Sequence, residues 1–137
     1  MTYLLDTNAC IALIKDDPPG VRRRFDQAVA AHAEILVPTV VAFELWYGVA
    51  KSVRREANAR RIQNFFAAPI QLLSFDEEDA KSSGAIRAEM ESRGKSLGPY
   101  DLLIAGQALR HDLILVTANA REFRRIKTLR WEDWATP

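Results

Sequence analysis

The sequence predicts a three-layer α/β domain built on a parallel sheet, and three observations carry that prediction. Its strand-like runs are short and apolar without alternation, which suits strands covered on both faces. Helical stretches separate these runs, as in sheets whose strands are joined by crossover helices. The chain has 137 residues, 48% of them hydrophobic, enough for one domain with a real core and too few for two of ordinary size.

In chain order, Thr2–Leu5 is the first strand-like run, and Asp6 breaks it. Thr7–Lys15 and Pro18–Ala31 read as helices, with Pro18-Pro19-Gly20 as punctuation between them. Glu34–Val37 is the second strand. Thr39–Lys51 and Val53–Phe66 follow as helices, and Ile70–Ser74 is the third strand. Glu77–Ser92 is helical and closed by Arg93-Gly94. Pro99–Arg110 is a helix that opens on a proline and leads into the fourth strand, Leu113–Thr117. Thr128–Trp131 is a weaker fifth run. No internal repeat, low-complexity tract or linker divides the chain, so residues 1–137 read as a single domain.

Composition narrows the classes of function. The apolar start is interrupted after a few residues and has no basic segment before it, so it reads neither as a secretion signal nor as a membrane span. A single cysteine, Cys10, excludes an internal disulfide, and with only His32 and His111 available a cysteine and histidine zinc site is excluded too. That usage suits a reducing, cytoplasmic compartment. Cys10 reads as a small buried apolar residue. The net charge of +1 hides three basic runs: Arg22–Arg24; Lys51, Arg54, Arg55, Arg60 and Arg61; and Arg121, Arg124, Arg125 and Lys127. With the acidic run Asp76–Asp79 these read first as solvated helix faces, and charge alone selects no partner.

The chemistry lies in a few acids. In an open parallel sheet the ligand crevice sits beyond the carboxyl ends of the strands, where strand order reverses. Asp6 ends the first strand and so points there, although Asp6 or Thr7 would also serve as an ordinary helix cap. Glu44 stands in "PTVVAFELWYGVA", a helix apolar around most of its circumference and therefore expected to be mostly buried. An unpaired carboxylate in such a place needs a cation, a salt bridge to a nearby arginine, or an opening to a wet cleft. In that helix Trp46 and Tyr47 read as core or dimer contacts before base-stacking residues. Asp101, in "LGPYDLLIAGQAL", occupies the first turn of its helix, where the dipole favours an acid. The apolar face of that helix aims the same turn at the strand ends. Thr117 and Asn119 leave the fourth strand toward the crevice, and Asn119 with Glu122 also spells a capping box.

Carboxylates gathered without a base raise one another's pKa, and they make sense around a hard divalent cation such as Mg²⁺ or Mn²⁺. Such an ion activates water and neutralises charge on a phosphodiester, which points to a phosphate ester as substrate.

Asp6-Thr7-Asn8, Glu44 in "FELWYG", Asp101 in "GPYDLLIAG" and Thr117-Ala118-Asn119 in "VTANAREFRRI", together with the closing "LRWEDW", resemble the PIN-domain ribonucleases, specifically the VapC toxins of bacterial toxin–antitoxin pairs. The resemblance spans almost the whole chain. It implies an α/β/α PIN-like fold with about five parallel strands, Mg²⁺-dependent RNA cleavage, a homodimer and a VapB-type antitoxin that blocks the site. The "GPYD" and "REF" wording implies tRNA as substrate, at the anticodon region of the initiator. By position, Asp6, Glu44 and Asp101 become the acidic ligands, with Thr7 and Asn8 orienting Asp6 or a phosphate. Many members have an aspartate where this chain has Asn119, and Glu122 is the alternative source of a fourth ligand.

Three other functions compete with this one. A haloacid-dehalogenase-like phosphatase also ends its first strand on an aspartate, but it needs a second acid two residues on, where this chain has Asn8. A non-catalytic RNA- or protein-binding module of the same fold would not collect negative charge in a phosphate groove. A dinucleotide-binding domain is excluded by the absence of glycines after the first strand.

Overall fold

The computed structural model describes residues 1–136. Five strands, β1 (Thr2–Leu5), β2 (Glu34–Pro38), β3 (Gln71–Leu73), β4 (Ile114–Val116) and β5 (Trp131–Glu132), form one sheet in the order β3-β2-β1-β4-β5. Every pairing is parallel; Leu4 lies opposite Leu36 on one side and Leu115 on the other. The helices are α1 (Thr7–Lys15), α2 (Pro19–Ala30), α3 (Thr39–Lys51), α4 (Arg55–Phe66), α5 (Glu77–Ser92), α6 (Pro99–Arg110) and α7 (Ala120–Phe123). Packing joins α1 to α2, α3 and α4, and joins α5 closely to α6.

The apolar runs mean what the sequence suggests where the sheet is central. Leu4, Leu5, Leu115 and Val116 are sealed from water, and β1 pairs on both edges. The edge of the sheet differs. β3 pairs only with β2, and its Gln71 and Leu72 are exposed, so the run over Ile70–Ser74 is a short border strand rather than a covered one. The fifth strand is displaced from Thr128–Trp131 to Trp131–Glu132, because Leu129 and the preceding Ile126 turn into the core. Helix α4 begins two residues later than Val53, which is fully exposed in the turn before it. The mostly buried α3 of the sequence reading is also corrected. Only Val41 and Leu45 are buried, while Phe43 and Tyr47 are more than half exposed and Trp46 is 39% exposed.

The acidic run Asp76–Asp79 is structural. Asp76 caps α5 by accepting the Asp79 N–H at 2.9 Å, and Asp79 accepts the Asp76 N–H at 3.0 Å. Asp79 is fully buried; burial pushes its pKa up, but the Asp76 N–H, Arg110 and Gln107 outweigh burial and hold it low. Arg110 Nη1 reaches Asp79 at 3.0 Å, fastening the end of α6 to the start of α5.

Candidate active site

Strand order reverses beside β1, whose neighbours are β2 and β4. The chain leaves β1 at Asp6, whose N–H donates to the Val116 carbonyl of β4 at 3.1 Å. Extended backbone at Asp6 turns there into α1, and its Oδ1 accepts the Ala9 N–H at 2.8 Å. Capping and facing the crevice are therefore one arrangement: the cap fixes the carboxylate at the mouth of the strand ends.

The other segments arrive by different routes. Following β2, α3 carries Glu44 back over α1, where Thr7 Oγ1 donates to Glu44 Oε1 at 2.7 Å. No arginine or lysine pairs with Glu44 among the described residues. Because α6 leads into β4 from the opposite end, its amino terminus lies at the same sheet edge and brings Asp101 with it. A pocket of about 230 Å³ is lined by Asp6, Thr7, Asn8, Glu44, Gly98, Pro99, Tyr100, Asp101 and Asn119. Three acids from three segments thus share one cavity whose walls carry no cationic side chain. Tyr100 was not singled out in the sequence, although "GPYD" placed it beside Asp101.

Thr117 and Asn119 differ in what they do. The buried Thr117 accepts the Asn119 N–H on its Oγ1 at 2.9 Å, which shapes the turn out of β4. Asn119 stands at the start of α7 without a side-chain cap, so the capping box does not form and its amide lines the pocket. Glu122 is no cap either. It pairs with Arg125 at 3.0 Å and sits behind Asp101, close enough to raise that carboxyl's pKa.

Burial first, then the charges of Asp101 and Glu44, push Asp6 up to about 6 against the opposing Thr117 hydroxyl and Ala9 N–H. Asp101 is also raised, by burial, by Glu44 and by Glu122. These shifts fix a sign. A carboxyl with a raised folded pKa binds its proton more tightly folded than unfolded, so its stabilising effect is present at acid pH and is lost as pH climbs through the folded value. In chelator, Asp6→Asn should match the parent near pH 4 and exceed it above pH 6 by about 3 kcal/mol, the worth of two pKa units. Thermal melts of both proteins across that range check this; a pH-independent difference would refute it.

The donor set suits a hard dication. Among the described residues no three His, Cys, Asp or Glu side chains close around one point; the acids instead face one another across an open pocket. That arrangement fits an ion of the Mg²⁺ type, which keeps several waters while a few carboxylates hold it.

The PIN domain family matches residues 3–129. The chain is 41% identical to the tRNA(fMet)-specific endonuclease VapC of Shigella flexneri over 98% of this chain and 99% of that protein. It is 34% identical to Ribonuclease VapC2 of Rickettsia felis, over 98% of both. Its fold superposes on the crystal structure of Rickettsia felis VapBC2 bound to a promoter DNA fragment with a TM-score of 0.91, covering 98% of this chain and 99% of that one. It superposes on DNA-bound VapBC from Salmonella typhimurium at 0.89, with 38% identity and 98% of each chain covered.

Proposed function

The chain belongs to the PIN-domain family, and from that membership we propose that it is a VapC-type endoribonuclease toxin that hydrolyses RNA with a divalent cation and is silenced by a VapB-type antitoxin. The observation that carries this reading is the convergence of Asp6, Glu44 and Asp101 on one pocket without a cation of the protein's own. The named specificity of the Shigella flexneri relative supports tRNA, the initiator tRNA in particular, as the substrate. The solved VapBC complexes support an antitoxin partner. The family resemblance adds a homodimer and a cytoplasmic setting. Among the described residues no helix is long and apolar enough to cross a membrane.

Asp6 and Asp101 would hold the ion, Mg²⁺ or Mn²⁺, with Glu44 reaching it through water. Bound there, the ion supplies Lewis-acid activation of water and neutralises charge on the phosphodiester. The protein supplies order. The Ala9 N–H locks Asp6, and the Thr7 hydroxyl orients Glu44 to accept the proton of an attacking water. Water oxygen bonds to phosphorus as the P–O3′ bond breaks, and the leaving oxygen takes up a proton, giving a 3′-hydroxyl and a 5′-phosphate. Asn8, at the amino end of α1, is placed to donate to the phosphate. Asn119 brings an amide oxygen but no charge, and Glu122 is occupied by Arg125. The protein charge around a second ion is therefore low.

Incubating the protein with total tRNA should give discrete fragments in millimolar Mg²⁺ or Mn²⁺ and none in chelator. Binding without cleavage in Mg²⁺ would favour the non-catalytic module. Cleavage undiminished by chelator would overturn the role of the ion.

A further inference from the structure

The three basic runs differ in how far their cations are paired and in how they are gathered. In the first, Arg22 is held by Asp16 and the Leu13 carbonyl, and Arg24 by Glu132. In the third, Arg125 is spent on Glu122 and the Ser96 carbonyl, while Arg121, Arg124 and Lys127 have no carboxylate partner among the described residues. In the second run none of Lys51, Arg54, Arg55, Arg60 and Arg61 has a carboxylate partner among the described residues. The turn between α3 and α4 gathers Lys51, Arg54, Arg55 and Arg60 around one open concavity of about 750 Å³, with Glu56 as its one acid. Cations crowded this way repel one another and are relieved by an anionic partner with repeated charge.

This tip connects to the carboxylate pocket by a defined surface. Phe43, Tyr47 and Lys51 follow one another at four-residue intervals along one side of α3, about 6 Å a step, and the two aromatics are more than half exposed. Lys51 Nζ lies 4.9 Å from the centre of the Tyr47 ring. At the other end Phe43 packs edge-on to Tyr100 with ring centres 5.7 Å apart, and Tyr100 lines the pocket. Exposed aromatics beside a run of cations are what a single-stranded nucleic acid uses: bases stack, phosphates pair. We propose that the α3–α4 tip, Lys51 with Arg54, Arg55 and Arg60, anchors the RNA backbone beside the cleaved bond, reached from the acids along Tyr100, Phe43 and Tyr47. This rests on the ribonuclease reading and says which cations serve it.

The test measures affinity for labelled tRNA in an Asp101→Asn background between about 50 and 200 mM salt, and steady-state cleavage in the active protein. Arg54→Ala with Arg55→Ala should weaken binding about tenfold at low salt and lower the log–log salt slope by about 1.4, the release expected for two phosphates of a single strand. KM should rise while kcat is retained. Lys81→Ala with Arg87→Ala, which removes two exposed cations already paired on α5, should leave the slope unchanged. Tyr47→Ala should weaken RNA binding at unchanged molecular mass. A parental slope in the Arg54/Arg55 variant, while the parent still cleaves RNA, overturns the anchor and leaves the ribonuclease reading standing. Loss of antitoxin affinity with unchanged RNA binding also overturns it, since the patch would then serve a protein partner. A change of mass with unchanged RNA affinity in Tyr47→Ala removes the aromatic path. If the parent neither binds nor cleaves RNA, the ribonuclease reading falls first and takes the anchor with it.

Discussion

Asp101→Asn is expected to lower kcat for RNA cleavage by about three orders of magnitude, the rate equivalent of the several kcal/mol a divalent cation supplies, while raising the melting temperature of the metal-free protein. The two effects have one cause. Asp101 is partly buried and faces Glu44, with Glu122 behind it, and both acids push its pKa up. Replacing it by the isosteric amide removes a charge that the pocket tolerates poorly in chelator, and the same charge is needed once a cation is present. Added Mg²⁺ should therefore stabilise the parent more than the variant. Asp6→Asn should lose activity to a similar degree, since its carboxylate is held in place by the Ala9 N–H and an amide keeps that bond without the charge. Gel assays of tRNA cleavage and melting curves in chelator and in Mg²⁺ measure both. Parental cleavage by the variants would remove the catalytic assignment. Melting curves that ignore millimolar Mg²⁺ would show that the ion binds elsewhere.

Gly106→Ala should destabilise the protein by about 3 kcal/mol, roughly 10 °C in melting temperature for a chain of this size. In α6 a Cβ at this position would collide with Ser83 Oγ and lie 2.8 Å from the Ser83 backbone nitrogen and 2.9 Å from its Cβ. Trimming Ser83 to alanine removes only the first of these contacts. The double variant Gly106→Ala/Ser83→Ala should consequently recover part of the loss and no more, because the remaining clash is with the α5 backbone and can be relieved only by parting the helices. Chemical denaturation of the single and double variants measures this. A neutral Gly106→Ala would mean that α5 and α6 are not seated this closely.

Much of the site was legible because its members carry local signatures. Asp6 stands where an apolar run stops. Asp101 follows a Gly-Pro helix start, and Glu44 is the one charge in an otherwise apolar stretch. What the sequence left open was the surroundings of each. The same asparagine and glutamate that spell a capping box at Asn119 and Glu122 take up other roles, because α7 is only four residues long and Arg125 claims Glu122. The apolar circumference of α3 suggested burial, yet its outer side faces solvent, since hydrophobicity along a helix does not say how many neighbours are available to cover it. The misplaced fifth strand has a related origin: Leu129 satisfies either a strand or a core-directed turn, and the packing beneath it decides.

By itself the sequence determined the class of fold, through apolar runs that suit a parallel sheet between helices, and it singled out the candidate acids, Asp6 and Asp101 by their placement at element ends and Glu44 as the one charge in an apolar helix. The tertiary structure decided which charges remain unpaired. Pairing depends on segments far apart in the chain: Thr7 meets Glu44, Arg110 meets Asp79, and the cations of the α3–α4 tip form no ion pair among the described residues. Coulomb energy depends on distance through space and on exclusion of water, and neither is written in the order of residues.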